Sequence, residues 1–436
     1  MLNQLDKFSN DVSISNDIIH VFDKLAQIPE TESQLVNNVV PKIAQILTSN
    51  STTSAPHFIE NLLELSNTII VHAQKADILS IMNTLYPSLM SLAFNNDDPA
   101  WLQKVNDCLR SLVHIGEEII SQHRFTSGQH QVSSFHMMLE YINKLLQPNF
   151  DDTAAFGVGE LITELFAKVG SALNNEIVSK ILTACISKLA SSDLLSFIQS
   201  IVFIFAKLFH DQNIVQMLSL LESIPTLTNQ KTNTVFANGL ACLFTKWSKN
   251  QQFFFDTYKL KVTSTAIAKL LKSGDERLAS VSVSIEVVDQ TAGYNTRSKK
   301  KIKERQVPFV LHAFIILVDA YIRAKETEAD KKKERNLMGL MYGNDDDFED
   351  EDESPFVAED EYLDQLANHG QEYFSDDEDA IVDTLSSRDP LNNIDLLQVL
   401  PEAMKEICSA NQQVLPHLEK LLTPQQKKAL QEMLSK

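Results

Sequence analysis

The residues best placed to act together chemically are acidic. Between Asp345 and Asp383 the chain carries eighteen Asp or Glu and no Lys or Arg. They are densest at Asp345, Asp346, Asp347, Glu349, Asp350, Glu351, Asp352 and Glu353, again at Glu359, Asp360 and Glu361, and at Asp376, Asp377, Glu378 and Asp379. Carboxylates this close repel one another and oppose collapse, so the segment is predicted to be a disordered, solvated insertion. What it offers is attraction for a cationic protein surface, raising the encounter rate and shielding that surface from wrong partners. Phe348, Phe356, Tyr362, Tyr373 and Phe374 are interleaved with the charges, which favours contact over mere solubilisation. Ser375, followed by Asp376, Asp377 and Glu378, suits an acid-directed kinase, whose phosphate would deepen the charge.

Upstream the composition inverts. Thr296 to Arg305 reads TRSKKKIKER and presents Arg297, Lys299, Lys300, Lys301, Lys303 and Arg305, with a second cluster at Lys331, Lys332, Lys333 and Arg335. A nuclear localisation patch, an ordinary solvated loop and a salt-sensitive partner for the acidic segment are all open for this basic loop. The formal net charge is −20. The acidic segment accounts for nearly all of it, leaving a folded body close to neutral, a balance that argues against direct nucleic-acid binding.

No catalytic, cofactor or metal constellation accompanies these charges. Gly157, Val158 and Gly159 form a GxG, but Ile162 stands where a dinucleotide loop needs its third glycine, so helix packing is the better role. His123, His130 and His136 share a polar stretch without metal-ligand spacing, and Asp97 and Asp98 lack the order of an EF-hand. GxSxG, HExxH and P-loop patterns are missing, so an enzyme is not expected. Cys108, Cys185, Cys242 and Cys408 lie far apart with no CxxC, which fits a reducing compartment better than a disulfide framework.

The elements that carry these residues read as helices. In 436 residues, 44% are hydrophobic and only 11 are glycine, which disfavours hairpin-rich folds. Residues 1–272 form a succession of amphipathic segments, near 14–28, 34–47, 58–71, 78–92, 135–146, 154–169, 176–189, 215–224, 235–247 and 253–271. Asp98 and Pro99 open another, and Ser192 and Asp193 are placed to cap the stripe Leu194, Phe197, Ile198, Ile201, Ile204, Phe205, Leu208 and Phe209. Paired helices recurring at about 40 residues predict an all-α protein, an α-solenoid of HEAT or armadillo type, over the rival helical bundle. Beyond this lie an irregular segment over 273–306 that holds the basic loop, a helix over 307–325, the acidic loop over 326–388 and terminal helices over 389–436. The N-terminus lacks the basic and apolar regions of a secretory signal, and the longest apolar run of the 194–209 stretch, Ile201 to Ala206, is too short to insert in a membrane.

Three features in order, TRSK at Thr296 to Lys299, the long acidic segment, then Asp389-Pro390-Leu391 with Ile394-Asp395-Leu396, resemble the C-terminal part of importin-β (karyopherin-β) family nuclear transport receptors, in particular the importin nine group. The direct likeness covers about residues 290–436. The resemblance implies a non-enzymatic HEAT-repeat import receptor, or its cargo-binding portion, that takes basic cargo such as core histone dimers and ribosomal proteins. It also implies Ran GTPase and FG nucleoporins as partners and shuttling between cytoplasm and nucleus. A HEAT-repeat scaffold or histone-chaperone-like adaptor without transport activity is the alternative.

Overall fold

The computed structural model describes residues 2–49, 56–127, 130–170, 173–288, 302–342, 389–410 and 415–435. The acidic residues from Asp345 to Asp379 and the basic residues Arg297, Lys299, Lys300 and Lys301 lie outside the described residues. The chain forms two compact units, Met1–Asn250 with Val281–Val283, and Gln251–Ser280 with Ser284–Lys436.

In the first unit the helices are α1 (Leu2–Lys7), α2 (Val12–Ala26), α3 (Pro29–Asn38), α4 (Val40–Ser49), α5 (Pro56–His72), α6 (Ile78–Thr84), α7 (Tyr86–Asn95), α8 (Pro99–Ile115), α9 (Glu117–Gln122), α10 (Ser134–Leu145), α11 (Val158–Val169), α12 (Asn175–Ser191), α13 (Leu195–Asp211), α14 (Ile214–Ser223) and α15 (Gly239–Asn250). One row runs α2, α5, α8, α11, α13, α15, each helix packed on the next, while α4, α7 and α10 stack in a second row. Helices so arranged bury their apolar faces only against neighbours close in sequence, which is the construction of an α-solenoid. Interior row helices are therefore apolar on both flanks: α5 buries Phe58, Ile59, Leu62, Leu63, Leu65, Ile69 and Ile70. Side-chain caps start many of them, Asp98 Oδ1 accepting from the Ala100 and Trp101 amides ahead of Pro99 at the first helical position.

Proline and local pairing account for the differences from the expected boundaries. The single segments expected over 34–47 and 78–92 are each two helices, since Pro41 and Pro87 have no amide to donate to the preceding turn. Ser192 and Asp193 do not cap α13, whose N-cap is Leu194 with no side-chain bond. The Ser192 hydroxyl instead donates to Asp152 and to the Lys188 carbonyl, and Asp193 is held by Lys246. Two short antiparallel hairpins interrupt the helices, β1 (Arg124–Ser127) with β2 (His130–Ser133) and β3 (Leu227–Asn229) with β4 (Thr234–Phe236). Strands too short to show alternation are invisible to a periodicity search.

The second unit contains α16 (Thr257–Ser273), which ends on Gly274 at φ +63°, and α17 (Glu276–Ser280). Strands β5 (Ser282–Val288) and β6 (Ile302–Pro308) pair within the segment expected to be irregular, and β6 takes in Lys303 and the exposed Arg305 of the expected basic loop. Next come α18 (Phe309–Tyr342), a 3-10 turn at Pro390–Asn393, α19 (Leu396–Ala410), α20 (Leu415–Leu418) and α21 (Pro424–Ser435). Helices α16, α18, α19 and α21 pack together around Ile267, Phe314, Tyr321, Leu400, Met404 and Met433. Because α16 joins this cluster, the compact units divide after Asn250 and not after residue 272. Helix α18 continues past residue 325, where the expected helix ended. Residues 325–333 of this extension are exposed and charged, and they are supported by the pairs Glu328–Lys332 at 3.0 Å and Asp330–Lys333 at 3.1 Å.

Candidate functional site

The described residues on either side of the acidic segment lie in the second unit: α18 ends at Tyr342, and after Asp389 the turn Pro390–Asn393 packs on α16. One Asp389 oxygen accepts the Leu391 amide at 2.9 Å, and the other accepts the Tyr258 hydroxyl at 2.5 Å. Lys261, one turn along α16 from Tyr258, donates to the Asn392 carbonyl at 2.6 Å. Ile394 is half-buried, Leu396 is buried, and Asp395 Oδ1 accepts the Leu397 amide at 2.9 Å to start α19. The Asp-Pro-Leu and Ile-Asp-Leu residues thus form a hydrogen-bonded turn that seats the start of the terminal helices on α16. Tyr258 and Lys261 were not singled out from sequence, because a Tyr and a Lys at that spacing on an amphipathic helix carry no distinctive signal. Beside Asp395, a surface cavity of about 390 Å³ is lined by Glu328, Glu402 and Lys405 among others.

In the first unit, polar pairs join successive helices of the long row. His72 Nε2 on α5 lies 2.8 Å from Asp23 on α2, Lys104 on α8 lies 3.4 Å from Glu64 on α5, and the Ser111 hydroxyl donates to Asn67 at 2.7 Å. His114 Nδ1 on α8 lies 2.6 Å from Glu164 on α11. Apart from the buried Ser111 these side chains are partly exposed, so the row carries a ladder of hydrogen-bonding groups with both signs of charge. Their spacing of 40 to 50 residues is the only trace in the sequence. A second series is structural, with Lys188 and Lys246 buried and Lys144 half-buried. Lys144 on α10 binds the Ala93 and Asn96 carbonyls and Asp97. Lys188 on α12 binds the Phe150 carbonyl and Asp152, and Lys246 on α15 binds the Ser192 carbonyl and Asp193. In each case a lysine reaches the carbonyls and the aspartate that follow an earlier helix, so the orphan groups at that helix end are satisfied across the stack.

The remaining sequence candidates have individual partners. His123 is buried between the Ser134 hydroxyl at 2.6 Å and Asn83 at 3.1 Å, and burial holds its pKa below the usual value. His136 pairs with Glu140 on its own helix. Gly159 lets α11 approach α13, for a Cβ there would stand 2.5 Å from the Ser200 carbonyl oxygen. All four cysteines are free and buried, and burial pushes the Cys408 thiol up to about 11. Among the described residues no His, Cys, Asp or Glu group of three is arranged to hold a metal ion, and no helix is long and apolar enough to cross a membrane. The described geometry offers hydrogen bonds and charge along helix faces.

The stacked helix pairs make this a helical-repeat protein, and comparison with known proteins shows that nearly its whole length is similar to importins. It is similar to Importin-9 of Drosophila melanogaster, 25% identical over 426 residues, which is 96% of this chain and 37% of that protein. It is similar to Importin subunit beta-5 of Schizosaccharomyces pombe, 28% identical over 279 residues, 64% of this chain and 26% of that protein. The chain therefore spans well under half the length of these curated relatives. No family model matches the sequence. Among solved structures, a designed armadillo repeat protein in complex with peptide (KR)4 matches 62% of this chain and 99% of that one, at 13% identity and a TM-score of 0.36.

Proposed function

We propose that this chain is a nuclear import receptor, or its C-terminal cargo-binding portion, that holds basic proteins such as core histone dimers and ribosomal proteins. The observation that carries this reading is the similarity to Importin-9 along 96% of the chain. The anionic loop from Asp345 to Asp379 supplies the attraction for cationic cargo, with net charge providing range and speed and not shape. The turn at Asp389, Pro390, Ile394, Asp395 and Leu396 fixes the chain to the second unit just beyond this acidic segment, and the ladder on the first offers hydrogen-bond partners to an extended chain. The basic residues Arg297, Lys299, Lys300, Lys301, Lys303 and Arg305 hold the loop by charge until cargo displaces them. Binding without turnover, passage through FG nucleoporins, control by Ran and residence in both cytoplasm and nucleus complete the proposal.

Immobilised core histone dimers and FG-repeat peptides, each titrated with the purified chain, test it. Saturable binding to both is expected. Binding to histones alone would make the chain an adaptor that does not carry cargo through the pore, and binding to neither would overturn the reading.

A further inference from the structure

Helix α3 carries two carboxyls in its first turn, and only one of them faces solvent. Glu30 is exposed, whereas Glu32 is buried and one of its oxygens has no hydrogen-bond partner. Its other oxygen lies 3.5 Å from the Ser33 hydroxyl, which donates to Asp77 at 2.9 Å. A hydroxyl has one proton to give, and the shorter contact takes it. Asp77 opens α6 without capping it, and its carboxyl lies within hydrogen-bonding reach of Glu32. Two carboxylates are both acceptors, so they meet at that range through a proton or a cation held between them.

Helix α3 packs on α2, α4, α5 and α6. Of the charges carried by these elements and the turns between them, Asp77 is the one whose field acts on Glu32. Asp23 on α2 and His72 on α5 are joined to each other at 2.8 Å, while Lys42 on α4 and Lys75 in the turn before α6 are exposed. A bound Ca2+ or Mg2+ takes about six oxygens or more. Here two carboxyls and one hydroxyl converge, and among the described residues no third His, Cys, Asp or Glu joins them.

We propose that Glu32 and Asp77 form a proton-sharing clasp between α3 and the turn that leads into α6, closed while one proton is held between the two carboxyls and loosened when it leaves. The shared proton removes one of two adjacent negative charges from a site where water cannot solvate them. Burial, followed by the Asp77 charge, holds the Glu32 carboxyl above its usual range. The sign follows: acid fills the clasp from solvent, and rising pH empties it and sets two carboxylates against each other.

A carboxyl-carbon NMR titration of the full chain tests this, with circular dichroism to verify that each variant is folded. Glu32→Gln identifies the Glu32 signal by deleting it. In the unaltered chain that signal is expected to titrate above the ordinary glutamate range, with the Asp77 signal shifting in the same step because both groups feel the proton. Asp77→Asn removes the neighbouring charge and supplies an N–H, and is expected to weaken proton binding at Glu32 about tenfold or more. Hydrogen exchange of the Asp77 amide, which bonds the Gln74 carbonyl, reads the clasp itself. Corrected for its intrinsic rate, it is expected to quicken as pH rises through the step and to stay slow in Glu32→Gln. A Glu32 signal in the ordinary range, a midpoint that Asp77→Asn leaves in place, or exchange without a step would each overturn the proposal. So would a titration displaced by added Ca2+ or Mg2+, which would put a metal ion and not a proton between the carboxyls.

Discussion

Lys188 is 1% exposed, lies 2.8 Å from Asp152, and sets its ammonium over the Phe197 ring. Removing one partner of a buried pair strands the other without solvent. Lys188→Ala is therefore expected to destabilise the first unit by about 3–5 kcal/mol, read from urea unfolding. Glu32 presents the opposite balance. It is 1% exposed, one of its oxygens has no partner, and burial followed by the nearby Asp77 charge raises its pKa. A carboxyl whose folded pKa is raised contributes stability below its unfolded value and loses it as pH climbs through the folded one. Glu32→Gln is thus expected to raise the melting temperature at neutral pH and to give a smaller gain near about pH 3, well below the unfolded value, where the carboxyl is protonated in both states. An equal gain at both would contradict the assignment. At the Asp389 turn, Tyr258→Phe removes a hydrogen bond to a carboxylate worth about 1.5–3 kcal/mol. The Leu391 amide is expected to exchange with deuterium at least tenfold faster, with amides of the first unit unchanged.

Helices α11 and α13 cross closely at Gly159. Gly159 stands where any Cβ would collide with backbone that cannot swing aside, so Gly159→Ala is expected to cost about 1–3 kcal/mol, measured by chemical denaturation. That role was legible in the sequence once the missing third glycine, replaced by Ile162, had set the GxG apart from a nucleotide loop. Most long helices were legible too, because stripes such as Leu194 to Phe209 and caps such as Asp98-Pro99 are local signals. What was not legible is non-local or short. Pro41 and Pro87 divide what periodicity joins, while Arg124–Ser127 and Thr234–Phe236 are strands of only 4 and 3 residues. The ion pairs that carry α18 to Tyr342 depend on individual side-chain spacing. The candidate site divides in the same way: the charge of the acidic loop and the Asp389 to Leu396 motif are plain in the sequence, but Tyr258 and Lys261 are 131 residues from their partners. Nothing local marks residues that meet only after folding.

At the scale of the whole molecule, a nearly neutral pair of helical units carries most of its net charge in one loop between Asp345 and Asp383. The described residues that flank it, Tyr342 and Asp389, both belong to the second unit. Binding that depends on such a loop weakens as salt screens it, with the screening length falling to about 10 Å at 0.1 M ionic strength. The central claim is that this loop recruits cationic cargo. The most direct test measures the Kd for a core histone dimer across a salt series, with the intact chain and with residues 344–383 deleted. The deletion is expected to leave helicity nearly unchanged, weaken binding at low salt and flatten its salt dependence. Equal affinity at low salt with the same salt slope would contradict the account.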